Sequence, residues 1–300
     1  RRFTRCCAHS CFRPQTPSQR ATRRRQRPRA KNTTAMAEDQ TSQNLTVAVR
    51  VRPLSTNEQK RKVAKVVQSS GNRVIVTHGP GGRGPDRTYN YDRVFSPYAA
   101  QEHVFESLVS PVVDEVLRGF NCTVFAYGPT GTGKTHTMEG TADDAGLAPR
   151  CAKALFARLE KQKTKAGEAD FQIKASCLEI YNEELSDLFA VDDDSSSQKT
   201  TSAAMALHTK PNPQKRPLRL VEAANKSGVT CANLEEVVCG DVDSCLRALQ
   251  KGANSRRIAS TKCNDKSSRS HALYTLKVCV RSLTEDGRDL IVNGQLNLVD

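Results

Sequence analysis

The run Gly128-Pro129-Thr130-Gly131-Thr132-Gly133-Lys134-Thr135 has the residue types and spacing of a phosphate loop, G-x-x-x-x-G-K-[ST]. Glycines at 128, 131 and 133 let successive backbone N–H groups turn inward around a triphosphate. Lys134 can reach the β- and γ-phosphates, and the Thr135 hydroxyl suits a Mg²⁺ ion. The apolar residues 123–127 before the loop read as a buried strand, and a helix is expected from about Gly133, which is the strand–loop–helix setting this motif requires. Two polar segments extend the chemistry. Asn264-Asp-Lys-Ser267-Ser268-Arg269-Ser-His271 gathers an amide, three hydroxyls, a guanidinium and an imidazole just before a strand. Such groups can close on a γ-phosphate and release after hydrolysis, although a serine-rich helix-to-strand loop would look the same. Gln295-Leu-Asn-Leu-Val-Asp300 is an apolar strand ending in a carboxylate, the form of a Walker-B aspartate that holds Mg²⁺.

These groups must be positioned by an α/β architecture, and the chain is long enough for one. Residues 45–300 supply a core of single-domain size. Residues 45–53 alternate apolar and polar and end at a proline, as a strand leaving a sheet does. Strands are expected at 74–77 and 89–95, and a core-facing helix at 104–117 leads into the phosphate-loop strand. The loop's own helix is interrupted at 141–146 and resumes over 149–163. A strand at 171–181, a short helical piece through Phe189, a strand at 218–221, a helix at 242–257 and long strands at 272–283 and 290–300 follow. Residues 191–217 break the pattern with clustered Asp, Ser, Thr, Lys and Pro, and read as a solvated insertion. Alternating strands and helices predict a central mixed, mainly parallel sheet flanked by helices, with some antiparallel pairing among the long final strands.

Charge is unevenly distributed. Of a formal net charge of +14, residues 1–35 carry +11 from ten Arg and one Lys with no acid, leaving 35 basic against 32 acidic residues elsewhere. The basic character therefore describes a tail and gives little reason to expect nucleic-acid binding by the folded part. Residues 1–44 form the extension. Its first methionine, Met36, opens a plausible start, so translated upstream sequence, an Arg-rich transit peptide and a basic arm all remain open readings of residues 1–35. Cys6, Cys7, His9 and Cys11 do not complete a four-ligand metal pattern. The remaining cysteines are scattered and read as reduced core thiols, and no apolar run of about 18 residues supports a membrane span.

The chain resembles the kinesin motor domain over about residues 45–300. The resemblance rests on Asn121-Cys-Thr-Val-Phe-Ala-Tyr-Gly-Pro-Thr-Gly-Thr-Gly-Lys-Thr-His-Thr-Met-Glu-Gly140, Leu178-Glu-Ile-Tyr-Asn-Glu183, Ser267-Ser-Arg-Ser-His271 and Leu296-Asn-Leu-Val-Asp300, four motifs in the family's order. The wording of the first motif, with Leu234-Glu-Glu236, is most similar to the BimC-type mitotic kinesins. The resemblance implies a P-loop NTPase-type fold that binds and hydrolyses MgATP to move along microtubules. Arg50, Arg52, Pro53 and His136 would line the adenine side, and residues 128–135 the phosphates. Thr135 and Ser268 would bind Mg²⁺, and Asp300 would hold it through water. Ser267 would place the attacking water, and Arg269 would be the switch arginine. Lys226, with Lys210, Lys215 and Arg216, falls where a tubulin contact is expected, though solvated loop cations explain these residues equally well. The implied setting is the cytoplasm and its microtubule cytoskeleton, with oligomerisation through a coiled coil outside this sequence.

Some features depart from the family pattern. The family continues past Asp300 with Leu-Ala-Gly-Ser-Glu, so the piece ending there is expected to hydrolyse ATP poorly by itself. Pro129 stands where kinesins usually carry Gln and removes a backbone donor from the cradle. The loop at 141–146 is short for a BimC-type member, which puts in doubt any ligand pocket formed there. A nucleotide-binding microtubule adaptor without motor activity and a nucleic-acid-binding P-loop protein are the alternative functions.

Overall fold

Apolar and β-branched runs become strands from the first described residues onward. The computed structural model describes residues 45–79, 81–82, 84–166, 170–190, 217–222, 229–261, 270–283 and 288–300. Residues Thr46–Asp300 make one compact unit. Strand β1 (Ala48–Arg50) precedes helix α1 (Thr56–Lys60), whose start is fixed by a capping box between Ser55 and Glu58. A three-stranded antiparallel sheet of β2 (Val67–Ser70), β3 (Arg73–Val76) and β4 (Arg87–Asn90) follows, and β5 (Arg93–Phe95) pairs parallel with β1.

The helix expected at 104–117 is one segment with a defect inside it. Helix α2 (Gln101–Val104) passes through a π-helical turn, Phe105–Val109, into α3 (Ser110–Leu117). Pro111 has no N–H to return to the carbonyl four residues earlier, and the widened turn accommodates that missing bond. After it come β6 (Asn121–Phe125), α4 (Lys134–Met138) and the 20-residue α5 (Leu147–Ala166).

The central sheet is completed by β7 (Asp170–Tyr181), β8 (Glu184–Asp187), β11 (Val237–Cys239), β12 (Ser270–Leu283) and β13 (Asp289–Val299). A small hairpin-like pair, β9 (Arg219–Glu222) with β10 (Val229–Ala232), stands apart from it, and α6 (Val242–Thr261) links β11 to β12. Strand order in the sheet is β11-β7-β12-β13-β6, with β8 also paired to β7. The mixed sheet expected from the sequence is present, and its balance among the described residues lies toward antiparallel pairs: only β13 with β6 runs parallel. The reason is local. The long strands β12 and β13 follow each other directly and pair over eleven positions as a hairpin, without an intervening crossover helix.

One element differs in kind from expectation. Residues after Tyr181 were expected to be helical, yet they turn back as β8. Asn182 and Glu183 both hold positive φ, 50° and 66°, which is the backbone of a two-residue hairpin turn. Asp187 then closes the strand's end, its Oδ1 accepting from the Phe189 N–H at 2.9 Å and its Oδ2 from the Glu235 N–H at 2.8 Å. Strands β2, β10 and β11 carried no sequence expectation; each is only three or four residues long. The insertion at 191–217 lies outside the described residues except for Pro217.

The core lies between the sheet and a layer of helices. Helix α5 packs on both α3 and α6, while α3 meets β13 and α6 meets β7. Val113, Val116, Leu155, Leu159, Ile173, Leu276, Leu296 and Leu298 are fully or almost fully buried there. Each such side chain contributes about 1.5–3 kcal/mol relative to exposure.

Candidate functional site

The parallel pairing of β13 with β6 builds the site. Leu298 faces Val124 and Val299 faces Phe125, so both strands end side by side, and the phosphate loop leaves one as Asp300 leaves the other. Asp300 is pinned by two backbone bonds to Ala272, each 2.9 Å. Crevices at the carboxyl ends of sheet strands are where α/β folds place ligands. Gly131 and Gly133 adopt left-handed φ of 82° and 93°, conformations that a side chain would strain, and Gly133 caps α4. The loop is thereby curled above the first turn of α4.

Across that crevice the Thr135 hydroxyl donates to Asp300 Oδ2 at 2.7 Å. Asp300 Oδ2 also accepts from Arg256, on α6. Asp300 Oδ1 is buried with no hydrogen-bond partner among the described residues. A buried carboxylate oxygen left without a donor is costly, and a hydroxyl beside a carboxylate is the oxygen donor set that suits Mg²⁺ and its waters. The residues therefore fit the metal that a phosphate loop uses.

Lys134 bends over its own loop. Its Nζ donates to the Gly128 carbonyl at 2.9 Å and the Pro129 carbonyl at 3.2 Å. The Pro129 carbonyl also accepts from the Thr132 N–H at 3.3 Å and the Thr132 hydroxyl at 2.7 Å. Proline removes a donor here, but its carbonyl is a hub that shapes the loop.

The expected base-side residues share one cavity of 660 Å³ with the loop. Arg50, Arg52, Pro53 and His136 line it together with Gly131, Thr132, Gly133 and Lys134. Gly128, Pro129, Thr130, Thr135 and Asp300 lie outside that lining. The two arginines already have protein partners. Arg50 donates to Gln101 Oε1 at 2.6 Å, the Thr137 hydroxyl at 3.0 Å and the Ala99 carbonyl at 3.1 Å. Burial pulls its pKa down, only partly offset by the charge of Asp144. Arg52 forms a two-point ion pair with Glu58, 2.7 Å at each contact. Gln101, fully buried, in turn donates to the His136 carbonyl at 2.5 Å. Asn264, Ser267, Ser268 and Arg269 lie outside the described residues.

Sequence reasoning missed a polar cluster behind the loop. Glu139, at the end of α4, accepts from the Tyr274 hydroxyl at 2.9 Å and pairs with Arg256 at 3.6 Å and Arg257 at 3.3 Å. Burial draws the pKa of Arg256 down, but the charge and hydrogen bond of Asp300, with Tyr274 and Glu139, outweigh it and raise it overall. Burial likewise pushes the Tyr274 phenol up, keeping it a neutral donor. Arg256 sits amid charged neighbours in a helix whose apolar pattern alone looked informative. The only available signal was an arginine pair in an otherwise core-facing segment.

The kinesin motor domain family model matches residues 50–300. The chain belongs to the kinesin motor domain family. It is 38% identical over 273 residues to "Kinesin-like protein KIN-5C" of Oryza sativa subsp. japonica, covering 86% of this chain and 25% of that protein. It is 39% identical over 267 residues to "Kinesin-like protein KIN-5B" of Arabidopsis thaliana, covering 86% and 24%. "Kinesin-like protein KIN-5D" of Arabidopsis thaliana matches at 35% over 297 residues, 95% of this chain and 26% of the relative. The kinesin motor chain thus spans about a quarter of the length of the relatives it matches. The subfamily of these relatives agrees with the BimC-type resemblance read from residues 121–140 and 234–236.

Proposed function

We propose that the whole protein is an ATP-driven microtubule motor of the mitotic-spindle kind, working in the cytoplasm on the cytoskeleton, and that this chain carries its nucleotide site. One observation supports the reading most: the phosphate-loop hydroxyl of Thr135 and the strand-ending carboxylate of Asp300, 165 residues apart, meet at 2.7 Å beside a carboxylate oxygen that has no partner among the described residues. This supports a phosphate loop working with a Walker-B aspartate, the arrangement P-loop nucleotidases use for phosphoryl transfer.

In this mechanism ATP enters the 660 Å³ cavity with its phosphates on the loop. Lys134 exchanges the Gly128 and Pro129 carbonyls for β- and γ-phosphate oxygens, a substitution of acceptors that costs little reorganisation. Mg²⁺ bound with the nucleotide offsets the charge that develops on the transferring phosphoryl group. Thr135, Ser268 and Asp300 would be the residues that hold the metal, as the family resemblance implies. On the same resemblance, Ser267 would help place the attacking water and Arg269 would act as the switch arginine, with Asn264 in the same polar segment. Most of the rate comes from positioning and charge stabilisation.

Microtubule surfaces are acidic, so the basic loops carrying Lys210, Lys215, Arg216 and Lys226 are assigned to tubulin contact. The assay is steady-state ATP hydrolysis by the full-length protein with increasing microtubules. Turnover should rise to saturation and vanish in Lys134→Ala. ATP binding without stimulated turnover would instead identify a nucleotide-binding adaptor.

A further inference from the structure

We propose that Tyr98 is a base-stacking residue of the nucleotide cavity, adding a purine-recognition surface to the one expected from Arg50, Arg52, Pro53 and His136. The inference rests on the nucleotide-binding reading above and names a contact within that same site.

Tyr98 lines the same cavity as Pro53, His136 and the phosphate loop, yet its side chain is 87% exposed. A tyrosine ring this exposed within a cavity wall leaves a large apolar face in water, which a planar heterocycle would cover. Its neighbours Ala99 and Ala100 also line the cavity and are small, so they leave space beside the ring.

The backbone carrying Tyr98 is held in place. The Tyr98 N–H donates to Ser96 Oγ at 3.4 Å, and the Ala99 N–H to the Ser96 carbonyl at 3.0 Å, forming a tight turn. Arg50 clamps the next carbonyl, that of Ala99, at 3.1 Å and at the same time holds Gln101 at 2.6 Å. Gln101 bonds to the His136 carbonyl at 2.5 Å. Arg50 and Gln101 therefore tie the backbone of the Tyr98 turn and the backbone of α4 at His136 into one frame. This also gives Arg50 a positioning role that its protein-bound guanidinium supports better than direct base contact.

Stacking on an aromatic ring depends on the base and leaves the phosphates untouched. The test compares MgATP with inorganic tripolyphosphate plus Mg²⁺ by titration calorimetry on this chain and on Tyr98→Ala, Tyr98→Phe and Lys134→Ala. Tyr98→Ala should weaken MgATP binding by about 5- to 30-fold, leave tripolyphosphate affinity unchanged, and be rescued by Tyr98→Phe. The 300 residues contain no tryptophan, so Tyr98→Trp adds a single emitter, which MgATP should quench and tripolyphosphate should not. An unchanged MgATP affinity in Tyr98→Ala, or an equal loss for both ligands, overturns the stacking role. Failure of the parent chain to bind MgATP, or undiminished binding in Lys134→Ala, overturns the nucleotide-site reading itself.

Discussion

Asp300 joins the phosphate loop to α6 through Thr135 and Arg256. One oxygen is shared by Thr135 and Arg256, and the other has no donor among the described residues. Asp300→Asn keeps the shape but removes the charge, so Mg²⁺-dependent nucleotide affinity should fall about 10- to 100-fold while affinity measured in chelator changes little. Titration calorimetry with and without Mg²⁺ reads the difference. Arg256 is the opposite case, a cation enclosed by Asp300 and Glu139 with 12% of its side chain exposed. Removing it takes the enclosed cation from two poorly solvated carboxylates, leaving Glu139 with Tyr274 and Arg257 and Asp300 with the Thr135 hydroxyl, so Arg256→Ala should cost about 3 kcal/mol in urea unfolding. The cysteines follow the same logic of burial. Cys151 is buried and its thiol is pushed up to about 12 by desolvation, and burial also raises Cys177. Neither should react with iodoacetamide at pH 8 in the native state, and both should react after unfolding, as peptide mass mapping will show.

At the scale of elements, β13 brings Gly294 close against α3. A Cβ there would come within 1.9 Å of the Val116 carbonyl oxygen, which belongs to helix backbone and cannot step aside. Gly294→Ala should therefore destabilise by about 1–3 kcal/mol or more, lowering Tm by about 2–4 °C per kcal/mol in a calorimetric scan. The start of α1 makes a pH prediction. The Arg52 ion pair and hydrogen bonds from Ser55 hold the Glu58 carboxyl at about 2, below its ordinary value. Its contribution is thus present above the ordinary carboxylate range and is lost as pH falls through about 2. The Tm gap between the parent and Glu58→Gln should be constant near neutrality and shrink from about pH 4.5 downward. Helices and long strands were legible because their apolar residues recur over many positions, as in α5 and β12. The β8 hairpin was not, because Glu184, Leu185 and Leu188 fit a helix as well as a strand. Two consecutive left-handed residues at Asn182 and Glu183 decide between them, and composition does not announce a left-handed glutamate.

Across the whole molecule, the phosphate loop, the place of its strand and the terminal carboxylate were legible because their chemistry demands particular residue types at fixed spacing. The strand expected to be buried is, however, the end strand of the described sheet, with Phe125 and Tyr127 exposed. The meeting of Thr135 with Asp300 was expected from resemblance, and the sheet register supplies its cause in the parallel pairing of β6 with β13. The partners of Arg50, Gln101, Glu139 and Arg256 were not legible, since each bond joins segments dozens of residues apart and depends on packing that no local pattern encodes. Family membership and the nucleotide cavity together make motor activity of the whole protein the central claim. The most direct test is ATP turnover by the full-length protein as microtubules are added, beside Lys134→Ala and Asp300→Asn. The account predicts saturable microtubule stimulation that is abolished in the first variant and strongly reduced in the second. Turnover that ignores microtubules, or persists unchanged in Lys134→Ala, would contradict it.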